Sequence, residues 1–335
     1  MFPSPFIVAP MAGGVSTPGL VVAAARAGAL GFLAGGYKSS GALAEQIAAV
    51  RSETENFGVN LFVPDSRPVD AEALAAYRTE LAAEAERYGV PLPELNPEAD
   101  DDGWQQKLEL LGEQPVAFVS FTFGAPAREE VRSLQALGSK VLITVTSGDE
   151  AKVATERGAD ALIVQHSSAG GHSGAFLDPD KPEYPDALAD LLIELRSVSP
   201  LPLIGAGGIS DSTTAAMSLD CGAEAVQLGT AFLCATEAGT REAHRQALLG
   251  GRFIRTARTR AFSGRWARGL ENRFIREHPG APQAYPQIHH LTSPLRAAAA
   301  AAGDPEGVNL WAGTGFAQAR AASTAEILAD LESGL

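Results

Sequence analysis

The sequence predicts an α/β protein, a closed (β/α)8 barrel with a helical insertion after the third strand and a C-terminal helical extension. Short aliphatic or β-branched runs recur, each followed by a polar loop and then an alanine-rich stretch of helical spacing. Runs such as Ala-Leu-Ile-Val at 161–164 and Pro-Leu-Ile-Gly at 202–205 are apolar without alternation, as parallel strands covered on both faces are. Eight such units favour closure over an open doubly wound sheet, which stays as the alternative because strand order is invisible in a sequence.

In order, residues 6–10 form the first strand, and a helix over 17–27 opens at Thr17-Pro18 and stops at Gly28. Strand 30–34 and helix 40–51 make the second unit, and strand 58–62 begins the third. The next fifty or so residues, 63–115, are too long for a plain crossover. They hold an amphipathic helix over 69–88, prolines 91, 93 and 97, an acidic run at 98–102 and a short helix at 104–111, and read as an inserted helical subdomain. Strands 116–122, 140–144, 161–165, 201–205 and 225–229 then alternate with helices 127–137, 149–157, 186–198, 212–219 and 239–249. The barrel is thus residues 1–62 with 116–250. Residues 251–335 form an extension ending in a helix over 325–331, expected to pack beside the insertion.

Against 40 Asp and Glu stand 26 Lys and Arg in 335 residues, and the net charge of −14 argues against general attraction to nucleic acid or anionic membranes. The arginine-rich stretch 252–276 therefore reads as a solvated or ion-paired face, and the acidic run as a solvated loop. No apolar run approaches the roughly 18 residues of a membrane span, and the N-terminus shows no basic or apolar leader. Two cysteines, Cys221 and Cys234, read as core residues without metal-ligand spacing, so a reducing cytoplasm is the expected location. His289 and His290 are adjacent and share no helix face, so no metal is expected.

Reactive groups of such a barrel collect in the loops after the strands, and phosphates in the loops after strands seven and eight. After strand seven comes Gly-Ala-Gly-Gly-Ile-Ser-Asp at 205–211, with Gly207 and Gly208 able to bring backbone close to an anion at a helix N-terminus. After strand eight come Gln227, Leu228, Gly229 and Thr230; both loops serve equally as tight turns if each is taken alone. Pro10, Met11 and Ala12 after strand one offer a flat surface to a planar group. Asn60 at the end of strand three can bond a heterocycle edge or cap a turn. The densest signal is 165–174, Gln-His-Ser-Ser-Ala-Gly-Gly-His-Ser-Gly. Its His172, flanked by glycines and titrating ordinarily near neutrality, is a candidate to take or hold a proton, whereas His166 reads as structural.

Taken together these motifs resemble the nitronate monooxygenase family, formerly 2-nitropropane dioxygenases, which are FMN-dependent TIM-barrel enzymes. The likeness is carried by 9–13, 57–62, the Ala-Gly-Gly-His core of 165–174, 205–209, 227–230 and the tail segments 261–269 and 310–315, nearly the whole chain in order. The resemblance implies that Pro10, Met11 and Ala12 line the flavin ring and that Asn60 and Gln165 bond its polar edge. Gly170 and Gly171, with Gly207, Gly208 and the stretch from Gln227 to Thr230, would hold the cofactor's phosphate, and His172 falls on the family's active-site histidine. Implied too is oxidation of a nitronate by dioxygen to a carbonyl compound and nitrite. One departure is visible: many members read Gln-Gly-x-Glu where this chain has His166 and Ser168, so a carboxylate is missing. An NAD(P)H-dependent FMN reductase acting on a quinone or enoyl thioester, and a flavin-binding module without turnover, remain as alternatives. Oligomeric state and physiological substrate are not legible.

Overall fold

The computed structural model describes residues 2, 4–65, 67–95, 100–180 and 182–335. Its strands are β1 (Phe6–Val8), β2 (Leu30–Ala34), β3 (Phe57–Phe62), β4 (Phe118–Thr122), β5 (Lys140–Val145), β6 (Ala161–Gln165), β7 (Gly171–His172), β8 (Leu203–Ala206), β9 (Ala225–Leu228), β10 (Thr256–Thr259) and β11 (Ala267–Leu270). All but β7, β10 and β11 are parallel and close into a barrel, because β1 pairs with β2 on one side and with β9 on the other. The open sheet is thereby excluded. Helices α1 (Pro18–Arg26), α2 (Ser40–Arg51), α6 (Arg128–Ala136), α7 (Gly148–Arg157), α8 (Leu188–Val198), α9 (Ser212–Asp220) and α10 (Glu242–Leu249) follow successive strands, and α3 (Ala71–Glu80), α4 (Ala82–Tyr88) and α5 (Trp104–Glu113) belong to the insertion.

Both faces of the strands are buried, as their unbroken apolar runs require. Ile7, Leu30, Phe32, Phe118, Leu142, Ile163 and Ile204 point into the barrel, while alternate residues meet the helices. Gly58 makes room here: a Cβ on it would lie 2.2 Å from the Phe32 ring. The first helix begins where the sequence says it should, with Thr17 Oγ1 accepting from Leu20 N at 3.0 Å.

Four expectations change. The helix read over 69–88 is two, α3 and α4, broken at the fully buried Leu81. The extension holds α11 (Arg273–Glu277), α12 (Gln287–Ala301) and α13 (Thr324–Glu332), but it is not purely helical, since β10 and β11 form an antiparallel sheet with β7. At two residues, β7 is too short to show a sequence pattern. Residues 97–99 lie outside the described residues, but the rest of the acidic run is anchored, not merely solvated. Asp102 pairs with buried Lys107 at 2.7 Å, a cation that needs a counter-charge, and Asp100 pairs with His290 at 2.8 Å. The arginine-rich stretch is ion-paired at Arg252, Arg255 and Arg276, yet Arg265 is fully buried, 4.0 Å from the Phe123 ring centre.

Insertion and extension share a core of Leu74, Tyr77 and Leu81 with Phe262, Phe274, Ile288 and Leu291. Tyr77 donates to Ala261 O at 2.7 Å, and Glu84, 3% exposed, pairs with Arg273 through both of its oxygens. Cys221 and Cys234 are both free. Among the described residues no helix is long and apolar enough to cross a membrane, and no group of three His, Cys, Asp or Glu is placed to hold a metal.

Glu84→Ala strands Arg273 in a largely buried position with only Glu277 beside it, and should cost about 3 kcal/mol. Chemical denaturation reads this directly; an unchanged midpoint would mean that the pair is screened like a surface one.

Candidate active site

At the C-terminal ends of the barrel strands lies a cavity of about 290 Å³. Every site residue singled out in the sequence lines it: Pro10, Met11 and Ala12 after β1, Asn60 in β3, Gln165 at the end of β6, Gly170, Gly171 and His172 beyond it, Gly207 and Gly208 after β8, and the run Gln227, Leu228, Gly229 and Thr230.

One end of the cavity is a cradle of backbone. Gly207 and Gly208 have φ of 113° and 73°, values that disfavour any side chain. A Cβ on Gly170 would lie 2.5 Å from Gly313 N and 2.6 Å from Ala312 C, so the extension is pressed against the β6 loop. Gly313 N donates to Thr230 Oγ1 at 2.9 Å and Thr314 N to Ser168 O at 3.0 Å, which joins three loops in one wall. His166 stands behind this wall. Its Nε2 lies 3.0 Å from Pro185 O, which can only accept, so Nε2 carries the hydrogen and Nδ1 accepts from Ser168 Oγ at 2.8 Å. The structural reading of His166 is thus what the geometry displays.

His172 is held from several directions. Its Nε2 is 2.8 Å from Ser263 Oγ, and Phe123, Tyr285 and Trp311 surround the ring at centre distances of 5.9, 5.6 and 5.4 Å. Gln165 Nε2 donates to His172 O at 3.1 Å and its Oε1 accepts from Gly174 N at 2.6 Å, which orders the loop and leaves one N–H and one lone pair of the amide over. Arg265 donates to Ser173 O at 3.0 Å and to Ala175 O, fixing the residues that follow. Asn60 uses its NH2 on Ser120 Oγ and Thr122 Oγ1, each at 3.0 Å, and its carbonyl oxygen accepts no hydrogen bond among the described residues. The near-neutral titration expected of His172 is overturned: burial, then the charges of Arg265 and Arg296, push its pKa down to about 3.

Several lining residues escaped the sequence reading. His289, dismissed there as a metal ligand, stacks face to face on Tyr37 at 4.1 Å. Arg296 is held by His289 O at 2.7 Å and Thr292 Oγ1 at 3.1 Å, with no carboxylate within ion-pair reach among the described residues. Arg241 and His244 complete that side. Among the described residues no Asp or Glu lines the cavity. A signal existed for Arg296, the single charged residue of α12, followed directly by alanines.

A barrel with a cavity at its C-terminal mouth, walled among the described residues by glycine backbone, apolar side chains, two arginines and three histidines, has the form of an enzyme that acts on a small molecule. The nitronate monooxygenase family model matches residues 1–334. A nitronate monooxygenase of Pseudomonas aeruginosa is 40% identical, covering 98% of this chain and 95% of the relative. The crystal structure of a nitroalkane oxidase from Streptomyces ansochromogenes superposes with a TM-score of 0.94 at 44% identity, covering 100% of this chain and 96% of that one. FabK from Thermotoga maritima, with a TM-score of 0.74 at 24% identity and 99% and 93% coverage, shares the fold. The chain belongs to the nitronate monooxygenase family and is an oxidoreductase.

The His172 imidazole should stay neutral from pH 5 to 9; ring nitrogen NMR shifts checked across that range would contradict this if a protonated fraction were seen at pH 6. Gly170→Ala should displace the 312–315 segment at a cost of about 1–3 kcal/mol, seen as a lower thermal midpoint.

Proposed function

We propose that the chain binds FMN in this cavity and oxidises alkyl nitronates with dioxygen to a carbonyl compound and nitrite. The carrying observation is the charge of the cavity wall: among the described residues Arg241 and Arg296 line it and no carboxylate does, which suits a nitronate anion better than a neutral nitroalkane. The residues fit a flavin phosphate and ring. Gly207, Gly208, Gly229 and Thr230 would hold the phosphate through backbone and hydroxyl, with Gly170 and Gly171 opposite, and Pro10, Met11 and Ala12 would support the ring. Gln227 Oε1 is buried without a hydrogen-bond partner, and Leu228 leads from it to the cradle, so a ligand donor at that edge would satisfy the amide. Asn60 Oδ1 offers a second acceptor, and Gln165, which orders the His172 loop, would bond the ring edge with its remaining N–H. When bound, the flavin supplies the redox chemistry that couples nitronate oxidation to dioxygen.

His172 then orients the substrate. Ser263 Oγ carries one hydrogen, given either to Arg265 O at 3.2 Å or to His172 Nε2. An anion on Nδ1 favours the second arrangement, since Nδ1–H then becomes a donor to the nitronate oxygens. With a pKa near 3 the same ring is a weak base for removing a proton from a neutral nitroalkane.

Purified protein saturated with FMN should release nitrite and take up oxygen together from a pre-ionised nitroalkane, without NAD(P)H. The neutral nitroalkane should react far more slowly. Nitrite formed only with NAD(P)H, or none at all, would sink this reading. His172→Ala should retain FMN yet lose at least about 10²-fold in turnover, and full turnover in that variant would remove His172 from the reaction.

A further inference from the structure

Tyr37 follows β2 with φ of 64°, a left-handed backbone that a bulky side chain rarely adopts. Three restraints hold it there. Its N–H donates to Asp102 Oδ1 at 2.9 Å, and Asp102 is itself held by buried Lys107 at 2.7 Å. Its ring lies flat on His289 with 4° between planes and meets Phe62 edge-on at 5.5 Å. Its hydroxyl oxygen accepts from Tyr285 O–H at 3.0 Å.

The last contact leaves a question of hydrogens. A phenol carries one, and because Tyr285 gives its own to Tyr37, the Tyr37 hydrogen needs another acceptor. Among the described residues none accepts it, and Tyr37 lines the cavity. A hydroxyl that accepts a hydrogen bond becomes a stronger donor, and Arg296 adds uncompensated positive charge nearby. Tyr285 also packs its ring against His172 at 5.6 Å, which places Tyr37 and His172 around the same end of the cavity.

We propose that Tyr37 is a further catalytic residue, whose phenol donates a hydrogen bond to the oxygens of the bound nitronate, and that Tyr285 is the positioning residue that aims it. This rests on the nitronate reading above. The strained backbone is consistent with that role, since packing alone needs only a ring, which Phe supplies, whereas here backbone and ring are held in place and Tyr285 occupies one side of the hydroxyl oxygen. Burial raises the Tyr37 pKa to about 12, so the donor keeps its hydrogen throughout the working range.

Tyr37→Phe, Tyr285→Phe and the double variant, each loaded with FMN, test this with a pre-ionised nitronate. Tyr37→Phe should lower kcat/KM by about 10- to 100-fold, as expected for one hydrogen bond to a charged group. The Tyr285→Phe loss should be smaller and the double variant no worse than Tyr37→Phe, because both changes act through one bond. A readout free of turnover comes from holoprotein carrying [13Cζ]tyrosine titrated with nitrite. The Tyr37 resonance, assigned by its absence in Tyr37→Phe, should shift. An unmoved resonance, or Tyr37→Phe turnover within about twofold of the parent, overturns the proposal. Should the parent protein turn over no nitronate while nitrite still shifts that resonance, the substrate reading falls and Tyr37 stands as the anion donor.

Discussion

The hydrogen bonding of β1 to β9 is the contact on which the rest of the molecule depends. β1 has only three residues, yet Phe6, Ile7 and Val8 face Val226, Gln227 and Leu228 in register, and Val226 N to Pro5 O and Ala9 N to Leu228 O prolong the seam at 2.7 and 2.9 Å. Closure removes both sheet edges and turns every strand's C-terminal end toward one mouth. Residues as distant as Met11, Asn60, His172, Gly208 and Thr230 become neighbours for that reason alone.

The mouth is finished by the C-terminal extension. β11 pairs with β7, placing Ala267 opposite His172, and the same extension contributes Ser263, His289, Arg296 and Trp311 to the cavity. Its stability and its chemistry are linked through charge. Arg265 and Arg296 are buried and hydrogen-bonded to carbonyls and a hydroxyl; Asp65 stands 3.9 Å from Arg265, whereas Arg296 has no carboxylate within ion-pair reach among the described residues. Burial first, and then these two charges, depress the His172 pKa.

The same logic bears on His166 and Ser168 in the loop after β6. These two residues bond each other and Pro185 behind the cradle, without adding a carboxylate to the cavity wall. His172 is ordered by Ser263, Gln165 and a ring of aromatic side chains.

Alternation of apolar strands and helices, with glycine at the helix ends, made the barrel legible, because burial on both faces leaves unbroken apolar runs that any register preserves. Pro10 to Ala12, the His172 loop and the glycines at 207 and 208 were legible for a local reason: their chemistry sits in contiguous loops at strand ends. Tyr37, His289 and Arg296 were not. Each looks ordinary in its own segment, and only the docking of insertion and extension brings Asp102 to Tyr37, Tyr285 to its hydroxyl and Arg296 to the cavity. The two-residue β7 and the buried fate of Arg265 escaped for the same reason. The order of residues alone was enough for the barrel, its family likeness and the contiguous loops that line the cavity. The protonation state of His172 and the charge of the cavity emerged only from the folded chain, since both are sums over groups far apart in sequence and depend on distance and burial.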